Sequence, residues 1–302
     1  MNIVHIDTGS EMRGGQYQVL MLLNGLAERG YSQVLLAREQ SPLWQTAKMA
    51  GHQVFPATLF EVWRWSKLAD TVVHSHDARA HTLAALTSRA KIVVSRRVAF
   101  PVKQSFPSRW KYRRAERYLA VSRCVGEALI AAGVGREKID VIYDAVEEVA
   151  APVAWNPELP VVALASRDPG KNRDLVRQAA ALAKVDVIYS DDLVRDLQRA
   201  SVFVYLTRSE GLGSAALLAM SMGVPVIASR VGGLAEVFIH NESGLYVQND
   251  AQEVAAAIGR LREHPELAQC LARGGQRRIQ ECFTKEHMIF NTLRAYERVL
   301  AP

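Results

Sequence analysis

Short runs of hydrophobic residues alternate with longer amphipathic segments along most of the chain. An apolar run of four to six residues with no polar face is typical of a strand buried on both sides, as in a parallel sheet. In the first half such runs cover residues 3–6, 33–37, 71–74, 92–95, 118–121 and 139–143. Segments between them, such as 16–29 and 81–88, have helical spacing. The alternation predicts repeated β-α-β units and an α/β fold with parallel sheets.

The alternation stops in a proline-rich segment at residues 152–160 and then resumes. Its further strand-like runs cover residues 161–165, 185–189, 202–206 and 224–228. A helical pattern lies at about 174–183, and the chain is helical in pattern from residue 251 onward. Since 302 residues are enough for two domains with separate cores, the break predicts a domain boundary near residue 152.

One stretch of the second half combines several features that suggest chemistry. Glu210 lies between a predicted strand and a predicted helix, on a loop where Gly211 and Gly213 let backbone amides approach a ligand. Ser214 is placed to cap the helix that follows, and Gly223 to end it in the left-handed conformation. Because a helix amino terminus attracts anions, this order of elements predicts a pocket for a sugar joined to a phosphate.

The same residues resemble the retaining glycosyltransferases of family four. The family pattern is E-x7-E, followed by a G-V-P-V strand and a G-G-x-x-E turn. Glu210 occupies the first acidic position, residues 223–226 are GVPV, and residues 232–236 match the turn. Leu218 stands where the family has its second glutamate, which usually accepts hydrogen bonds from the ribose of the donor.

The resemblance implies the GT-B fold, in which two Rossmann-like domains with parallel sheets face each other across a cleft. Residues 1–152 would form the acceptor-side domain and residues 153–286 the donor domain, with a helix at about 287–302 packing back on the first. The donor substrate would be a nucleotide-diphosphate sugar, with no permanently bound cofactor and no metal. The stretch SRRVAFPVKQS also resembles a subgroup associated with bacterial envelope sugars, which implies a lipopolysaccharide, or a related glycolipid or polysaccharide, as acceptor.

Most of the site residues implied by the resemblance lie in the second half. In the family the first glutamate contacts sugar hydroxyls and the glycine-loop amides bind others. The matching residues are Glu210, Gly211, Leu212, Gly213, Ser214 and, with a changed side chain, Leu218. Arg167 and Lys171 follow the strand predicted at 161–165, where two cations could neutralise a diphosphate and stabilise it as a leaving group. The family has an Arg and a Lys with this role, usually one residue further apart.

Two further candidates lie in the first half. Gly14 and Gly15 open the first predicted helix, where a doubly wound domain brings amides close to a phosphate or a bound sugar. His76 matches the second histidine of a family H-x-H pair that reaches the donor sugar or the acceptor, and a neutral histidine there can accept a proton. His81 is expected on the outside of its helix or at a turn. His74 and His76 have no remote Cys or His pattern, so no metal site is predicted.

The net charge of +6 comes entirely from residues 1–150, which hold 20 Lys and Arg against 14 Asp and Glu. Between Arg89 and Arg123, eleven basic residues accompany a single acid and are interleaved with five aromatic residues. This segment suits an anionic membrane surface or a phosphorylated acceptor, and the alternative is a solvated basic helix with ordinary core aromatics. The sequence has no signature of a nucleic-acid-binding fold, so no nucleic acid partner is expected.

The predicted function is sugar transfer by a cytoplasmic enzyme that can associate with the inner face of the membrane. Three scattered cysteines, the lack of an 18-residue apolar run and the lack of a signal peptide favour this location. A non-catalytic relative that binds a nucleotide or sugar is the first alternative, because of Leu218, the Arg167 to Lys171 spacing, and Asp144-Ala145 in place of the usual Asn-Gly. A nucleotide-sugar epimerase shares the fold, but the motif order fits it less well.

Overall fold

The computed structural model describes residues 1–102, 105–147, 149, 153, 155–166 and 168–301. These residues form two compact units. The first unit consists of Met1–Asp144 together with Lys285–Pro302, and the second of Ala145–Thr284. The candidate Arg167 and the expected boundary residue Pro152 lie outside the described residues.

The first unit contains a seven-stranded parallel sheet with the strand order β3-β2-β1-β4-β5-β6-β7. Its strands are β1 (Asn2–Asp7), β2 (Ser32–Ala37), β3 (Val54–Pro56), β4 (Thr71–Ser75), β5 (Lys91–Arg96), β6 (Arg117–Ala120) and β7 (Ile139–Val141). The chain runs outward from β1 to β3 and then returns to the other side of β1, so the order reverses between β1 and β4. Open α/β sheets bind ligands at the carboxyl ends of the two strands at such a reversal.

Six helices follow strands of this sheet. They are α1 (Gly14–Ala27), α2 (Pro42–Met49), α3 (Leu59–Trp65), α4 (Ala78–Thr87), α5 (Phe106–Arg113) and α6 (Arg123–Ala131). Four of them start where a side chain accepts a hydrogen bond from an amide of the first turn, and these capping residues are Ser41, Thr58, Asp77 and Ser122. Such caps satisfy amides that have no partner within the helix, which explains where these helices begin.

The second unit contains a five-stranded parallel sheet with the order β12-β11-β10-β8-β9. Its strands are β8 (Val161–Leu164), β9 (Val187–Ser190), β10 (Val202–Tyr205), β11 (Val226–Ser229) and β12 (Leu245–Val247). Its helices are α7 (Arg173–Ala183), α8 (Leu193–Leu197), α9 (Ser214–Ser221), α10 (Ala251–Glu263) and α11 (Pro265–Cys282). Here the strand order reverses between β8 and β10, so the loops after these two strands are the expected place for a ligand.

The last helix, α12 (Lys285–Leu300), belongs to the first unit. It packs on α1 and lies against β4, β5 and β6. Gly25 of α1 allows the two helices to approach closely, because a Cβ atom there would lie 2.0 Å from Cδ1 of Ile289. Tyr296 of α12 is fully buried, and its hydroxyl lies 2.6 Å from Nδ1 of His74 on β4. The helix therefore completes the core of the first unit.

The hydrophobic pattern located most of the strands and the long helices within a few residues of their observed ends. It missed the edge strands β3 and β12, which have three residues each and pair on one side only. β7 is an edge strand of the same length, but it lies within a longer strand-like run at 139–143, whereas three residues alone are too few to show the periodicity on which such a prediction depends. Among the helices formed by the described residues, none has both the length and the hydrophobicity that crossing a membrane requires.

Candidate active site

The loops after β8 and β10 bring a cation, a phenol and a carboxylate together in the second unit. Lys171 donates from Nζ to Oε2 of Glu210 at 2.6 Å and to the hydroxyl of Tyr205 at 2.9 Å. The Tyr205 hydroxyl in turn donates to the same Oε2 atom in a short hydrogen bond. The two loops are also joined through their backbones, since the Arg208 amide donates to the Gly170 carbonyl at 2.9 Å. The reversal of strand order thus places these three side chains at one sheet edge.

This cluster is partly open to solvent. The Lys171 and Glu210 side chains are 21% and 19% exposed, whereas Tyr205 is buried. Burial, and to a smaller degree the negative charge of Glu210, raises the pKa of Tyr205 well above its usual value. The phenol therefore stays neutral and keeps the proton that it donates to the carboxylate.

Each charged group of the cluster has bonding capacity left for a ligand. A lysine ammonium has three N–H donors, and Lys171 uses one on Glu210 and one on Tyr205. Oε1 of Glu210 accepts one hydrogen bond, from the Gly211 amide at 3.0 Å, and retains a second lone pair. Chemically, the cluster can offer a cationic donor to a phosphate oxygen and an anionic acceptor to a sugar hydroxyl.

Two glycine turns hold the backbone of Glu210 in place. Gly232 has a φ of +50°, and a Cβ atom on it would lie 2.3 Å from the Glu210 carbonyl oxygen. That carbonyl accepts a hydrogen bond from the Gly233 amide at 3.0 Å. Gly213 has a φ of +115° and is itself the N-cap of α9. Glycine is required at Gly213 and Gly232 because other residues rarely adopt these angles.

The expectation that Ser214 caps α9 is wrong. Ser214 is the first residue of the helix, and the N-cap is Gly213, which has no side chain to donate or accept a hydrogen bond. The left-handed turn at Gly213 moves the start of the helix one residue along the chain. Gly223 does follow α9 with a φ of +75°, as predicted. Leu212 is buried, so its side chain is not available to a ligand, and Leu218 is half-buried on α9.

A small polar network supports the start of the Glu210 loop. The Thr207 amide donates to the Ser229 hydroxyl at 3.0 Å, and that hydroxyl donates to Oδ1 of Asn249 at 2.6 Å. The side-chain amide of Asn249 then donates back to the Thr207 carbonyl at 3.1 Å. This closed set of hydrogen bonds ties the end of β10 to the end of β11 and fixes the point from which the loop departs.

In the first unit the corresponding reversal joins the loops after β1 and β4. Asp7, at the end of β1, accepts hydrogen bonds from the Gly9 amide at 2.9 Å and from the side chain of Gln16 at 3.1 Å. Asp77 follows β4, caps α4, and accepts from the amide and hydroxyl of Thr8 at 2.6 and 2.9 Å. Burial of Asp7, and secondly the charge of Asp77, raises the pKa of Asp7.

Gly14 and Gly15 are the first two residues of α1, as their sequence pattern predicts. The first turn of α1 contains no acidic residue of its own, and the carboxylate of Asp7 accepts from the side chain of Gln16 in this turn. Arg97 passes beside this turn, since a Cβ atom on Gly15 would lie 3.7 Å from its Cδ atom. Arg97 also forms an ion pair with Asp144 at 2.9 Å. The helix start and a cation therefore share one edge of the first sheet.

Three histidines meet beneath this edge. Nδ1 of His5 lies 3.0 Å from Nε2 of His76, while the two ring nitrogens of His74 are hydrogen-bonded to the hydroxyls of Tyr296 and Ser95. Ring nitrogens of the three histidines lie within 4.8 Å of one another. Burial lowers the pKa of His5 to about 3 and holds those of His74 and His76 well below their usual range. All three rings are therefore neutral near pH 7.

Comparison with known protein families finds a match in each unit of the chain. A family model described as Glycosyltransferase Family 4 matches residues 12–148, and one described as Glycosyl transferases group 1 matches residues 127–264. Together they include the end of β4 in the first unit and both strands at the reversal in the second unit, whereas β1 precedes the matched residues. Both matches are to glycosyltransferase families, and together they span residues 12–264 of the chain.

Curated glycosyltransferases match shorter parts of the chain. An uncharacterized glycosyltransferase of Methanocaldococcus jannaschii is 31% identical over 110 residues, which are 36% of this chain and 31% of that protein. The MMP alpha-(1->4)-mannosyltransferase of Mycolicibacterium hassiacum is 30% identical over 130 residues, 42% of this chain and 30% of the relative. The matched part thus spans about a third of the length of each relative.

Solved structures match nearly the whole chain at low identity. Anabaena HepE in complex with UDP-glucose has a TM-score of 0.84 at 14% identity, covering 99% of this chain and 100% of that one. The lipopolysaccharide outer core galactosyltransferase WaaB has a TM-score of 0.73 at 13% identity, with 98% and 99% covered. These similarities confirm the predicted GT-B fold with its two parallel sheets.

The structure brings together some of the residues singled out in the sequence and adds others. Glu210 and Lys171 are in direct contact, and the glycine loop lies beside them. Sequence reasoning missed Tyr205, which reads as an ordinary strand residue, and His5, which is polar within an apolar strand. His81 is buried against Tyr112, so its expected exposure is wrong, because α4 packs on α5.

The basic segment between Arg89 and Arg123 has features of both interpretations of its sequence. Tyr112 and Tyr118 stack with ring centroids 5.5 Å apart, as core aromatics do. In contrast, Phe100, Phe106 and Trp110 are 66%, 78% and 41% exposed, and α5 has no buried residue. Lys111 and Arg114 are engaged by carbonyl oxygens of α4 and of the residue that ends it, Ser88. The exposed aromatic residues and the cations near them form a surface that is both apolar and basic.

Proposed function

We propose that the protein is a retaining glycosyltransferase that moves a sugar from a nucleotide-diphosphate donor to an envelope glycolipid or polysaccharide. The observation that carries this proposal is the contact of Lys171, Tyr205 and Glu210 beside the glycine loop. Among the relatives, HepE was solved with UDP-glucose, and a Staphylococcus aureus protein is named for capsular polysaccharide biosynthesis. Both names support the substrate classes proposed for this chain.

In this proposal the second unit binds the donor. The remaining N–H of Lys171 bonds a diphosphate oxygen, and Arg167 supplies a second cation. The free lone pair of Glu210 accepts from a sugar hydroxyl, while the amides of Gly211 to Ser214 bind others. Cations that face the leaving phosphate stabilise the charge that develops as the glycosidic bond breaks. No carboxylate pair of the glycosidase type is required, because the leaving phosphate oxygen takes the proton of the acceptor hydroxyl.

Binding of a nucleotide sugar should raise the thermal stability of the protein. A ligand at 100 times its Kd adds about 2.7 kcal/mol, which moves the unfolding midpoint of a unit of this size by roughly 5–10 °C. The measurement is thermal unfolding with UDP, GDP, ADP and CMP, each alone and as its common sugar conjugates. A selective shift followed by transfer to a glycan acceptor supports the proposal. A shift without transfer to any acceptor favours the non-catalytic alternative, and no shift contradicts donor binding.

The same proposal places the protein at the inner face of a membrane. The exposed aromatic residues Phe100, Phe106 and Trp110 can enter the lipid interface while nearby arginines bind anionic headgroups. Arg109 and Arg113 lie on α5 next to Trp110, on a helix without buried residues. Arg109 and Arg113 contribute part of the excess positive charge of the first half of the chain.

Replacing Arg109 and Arg113 with serine should weaken binding to vesicles of anionic lipid by about 30-fold, since each basic residue at the surface contributes about 1 kcal/mol. Cosedimentation at low salt measures the change. Lys111 and Arg114 are left intact because they hold backbone carbonyls. Serine at Arg273 and Arg277, two exposed residues of α11, is the matched control and should leave binding unchanged. Equal vesicle binding by the α5 variant and the wild type would refute the membrane role.

A further inference from the structure

A groove of about 550 Å³ opens at the amino ends of β4 and β5 in the first unit. Its walls come from the residues after α3, the start of β4, the turn from α4 into β5 and the residues after α5. The candidate site residues of this unit lie at the opposite, carboxyl ends of the strands. Because β4 has five residues and is therefore about 16 Å long, the groove is separate from that site.

Four cations line this groove, and all four residues are exposed. They are Lys67, Arg89, Lys91 and Arg114. Within the described part of the chain, the side chains of Arg89 and Lys91 form neither a hydrogen bond nor an ion pair. Cations without a partner in the protein are available to an anion, with which they form strong charge-assisted hydrogen bonds.

Two carboxylates share the groove with these cations. Asp70 and Glu116 line its wall, so four cations against two carboxylates leave a net charge of +2. That balance suits a ligand with one phosphate, because the additional negative charge of a di- or triphosphate would face the carboxylates. A carboxylate beside a bound phosphate can also accept hydrogen bonds from hydroxyl groups of the same ligand.

Buried hydroxyl groups hold the backbone of the groove in place. The Ser66 hydroxyl, just after α3, accepts a hydrogen bond from the Arg89 amide at 3.1 Å. The Thr71 hydroxyl, at the start of β4, donates to the Leu68 carbonyl at 2.7 Å. These bonds tie the turn that presents Arg89 to the end of α3. A ligand therefore meets a preformed groove and loses little affinity to ordering its walls.

Exposed apolar side chains lie beside the basic groove. Leu68 lines it, Leu86 is in the last turn of α4, and both are about half exposed. On α3, the exposed Trp63 has Nζ of Lys67 at 3.1 Å from the centre of its ring. Such side chains can place their apolar parts in a lipid interface while the ammonium stays among the headgroups. Since Arg114 follows α5 directly, the groove is continuous with the apolar and basic surface of α5.

We propose that this groove binds the headgroup of an anionic membrane lipid, with Arg89 and Lys91 on the lipid phosphate and with Trp63 and Leu68 in the lipid interface. Its volume lies in the range of small-molecule sites. A phosphodiester that also carries hydroxyl groups, as in phosphatidylglycerol, matches both the cations and the carboxylates. The inference rests on the membrane location in the proposed function and is independent of sugar transfer.

The first test is cosedimentation with vesicles of phosphatidylcholine and phosphatidylglycerol in a ratio of two to one. Arg89→Gln combined with Lys91→Gln should weaken binding about 30-fold, which corresponds to about 1 kcal/mol for each cation. Arg273→Gln combined with Arg277→Gln, on the exposed face of α11, should bind as the wild type does. Thermal unfolding shows whether each variant is folded. Equal binding by the groove variant and the wild type would refute the proposal, even if substitutions on α5 weaken binding.

The second test separates a lipid from a free phosphate. Monomeric dihexanoyl phosphatidylglycerol should shift the amide NMR resonances of residues 66–71 and 88–92 to saturation, and the groove variant should lose these shifts. Inorganic phosphate should bind at least about tenfold more weakly, because it buries no apolar surface. Equal affinity for the two would assign the groove to a free anion, and lipid-induced shifts confined to other residues would exclude the groove as the lipid site. Loss of vesicle binding in the groove variant of a protein that transfers no sugar would count against the catalytic proposal alone.

Discussion

Replacing Glu210 with glutamine is expected to lower the rate of sugar transfer by about 100-fold or more while leaving the fold intact. The amide has the shape of the carboxylate but no charge, so Lys171 loses its anionic partner and the sugar loses a strong acceptor. Removal of one preorganised polar group from an active site typically costs about 2.7–4 kcal/mol in the transition state. The Tyr205 hydroxyl would keep an oxygen to donate to, so the packing of the loop should persist.

Initial rates of transfer test the expected loss of activity, and thermal unfolding tests whether the fold is intact. Glu263→Gln is the matched control, because Glu263 is an exposed residue of α10 and undergoes the same chemical change. It should retain the wild-type rate. Undiminished transfer by Glu210→Gln would show that Glu210 is not part of the active site. A loss of rate together with a loss of several degrees in the unfolding midpoint would instead assign it a structural role.

Acid should destabilise the first unit strongly. His5, His74, His76 and His81 are all buried in it, and burial lowers the pKa of each below the value of about 6.5 that it has in the unfolded chain. Between the folded and unfolded pKa values the unfolded state binds more protons, so stability rises with pH. The stabilisation is therefore present above pH 6.5 and is lost as the pH falls below it. From pH 7 to pH 5 His5 and His81, whose pKa values burial lowers to about 3, each cost about 2 kcal/mol, and His74 and His76 add to this loss.

Urea unfolding at pH 7, 6 and 5 measures this loss. His81→Phe should reduce it by about 2 kcal/mol, because phenylalanine keeps the ring packed against Tyr112 and has no proton to bind. His264→Gln changes an exposed histidine of the second unit and should leave the loss as it is. Asp7 and Asp144 act in the opposite direction, since burial raises their pKa values. Stability that is constant from pH 7 to pH 5 would contradict the neutral, buried histidines.

The fold could be predicted from the sequence because the hydrophobic pattern of each segment reflects its place in the fold. Strands buried on both faces must be continuously apolar, and helices that cover them must be amphipathic, so the alternation of the two is visible without any contact information. Short edge strands such as β3 and β12 pair on one side only, and their few residues leave a weaker hydrophobic pattern in the sequence. The start of α9 was misjudged for a different reason, since the backbone angle of Gly213 cannot be deduced from the presence of a serine after it.

The candidate site could be predicted only in part from the sequence. Charged residues on glycine loops stand out, which is why Glu210 and Lys171 were found. Tyr205 was not, because a tyrosine at the end of an apolar strand looks like core until the distances to its neighbours are known. The relation of His5 to His76 depends on the pairing of β1 with β4, across 71 positions of the chain. One signal was present, since a histidine inside a buried strand must find a partner.

The return of α12 to the first unit also determines when that unit can be completed during synthesis. The ribosome releases Met1–Asp144 long before Lys285–Leu300 exists, so the nascent sheet has no partner for His74 in the position of Tyr296 and no helix over β4, β5 and β6. The second unit is formed by contiguous residues, so it can fold before α12 is synthesised. The first unit cannot complete its core until α12 is available. The part of the protein that is made first is thus finished last, and a chain that stops before α12 leaves that core open to aggregation and proteolysis.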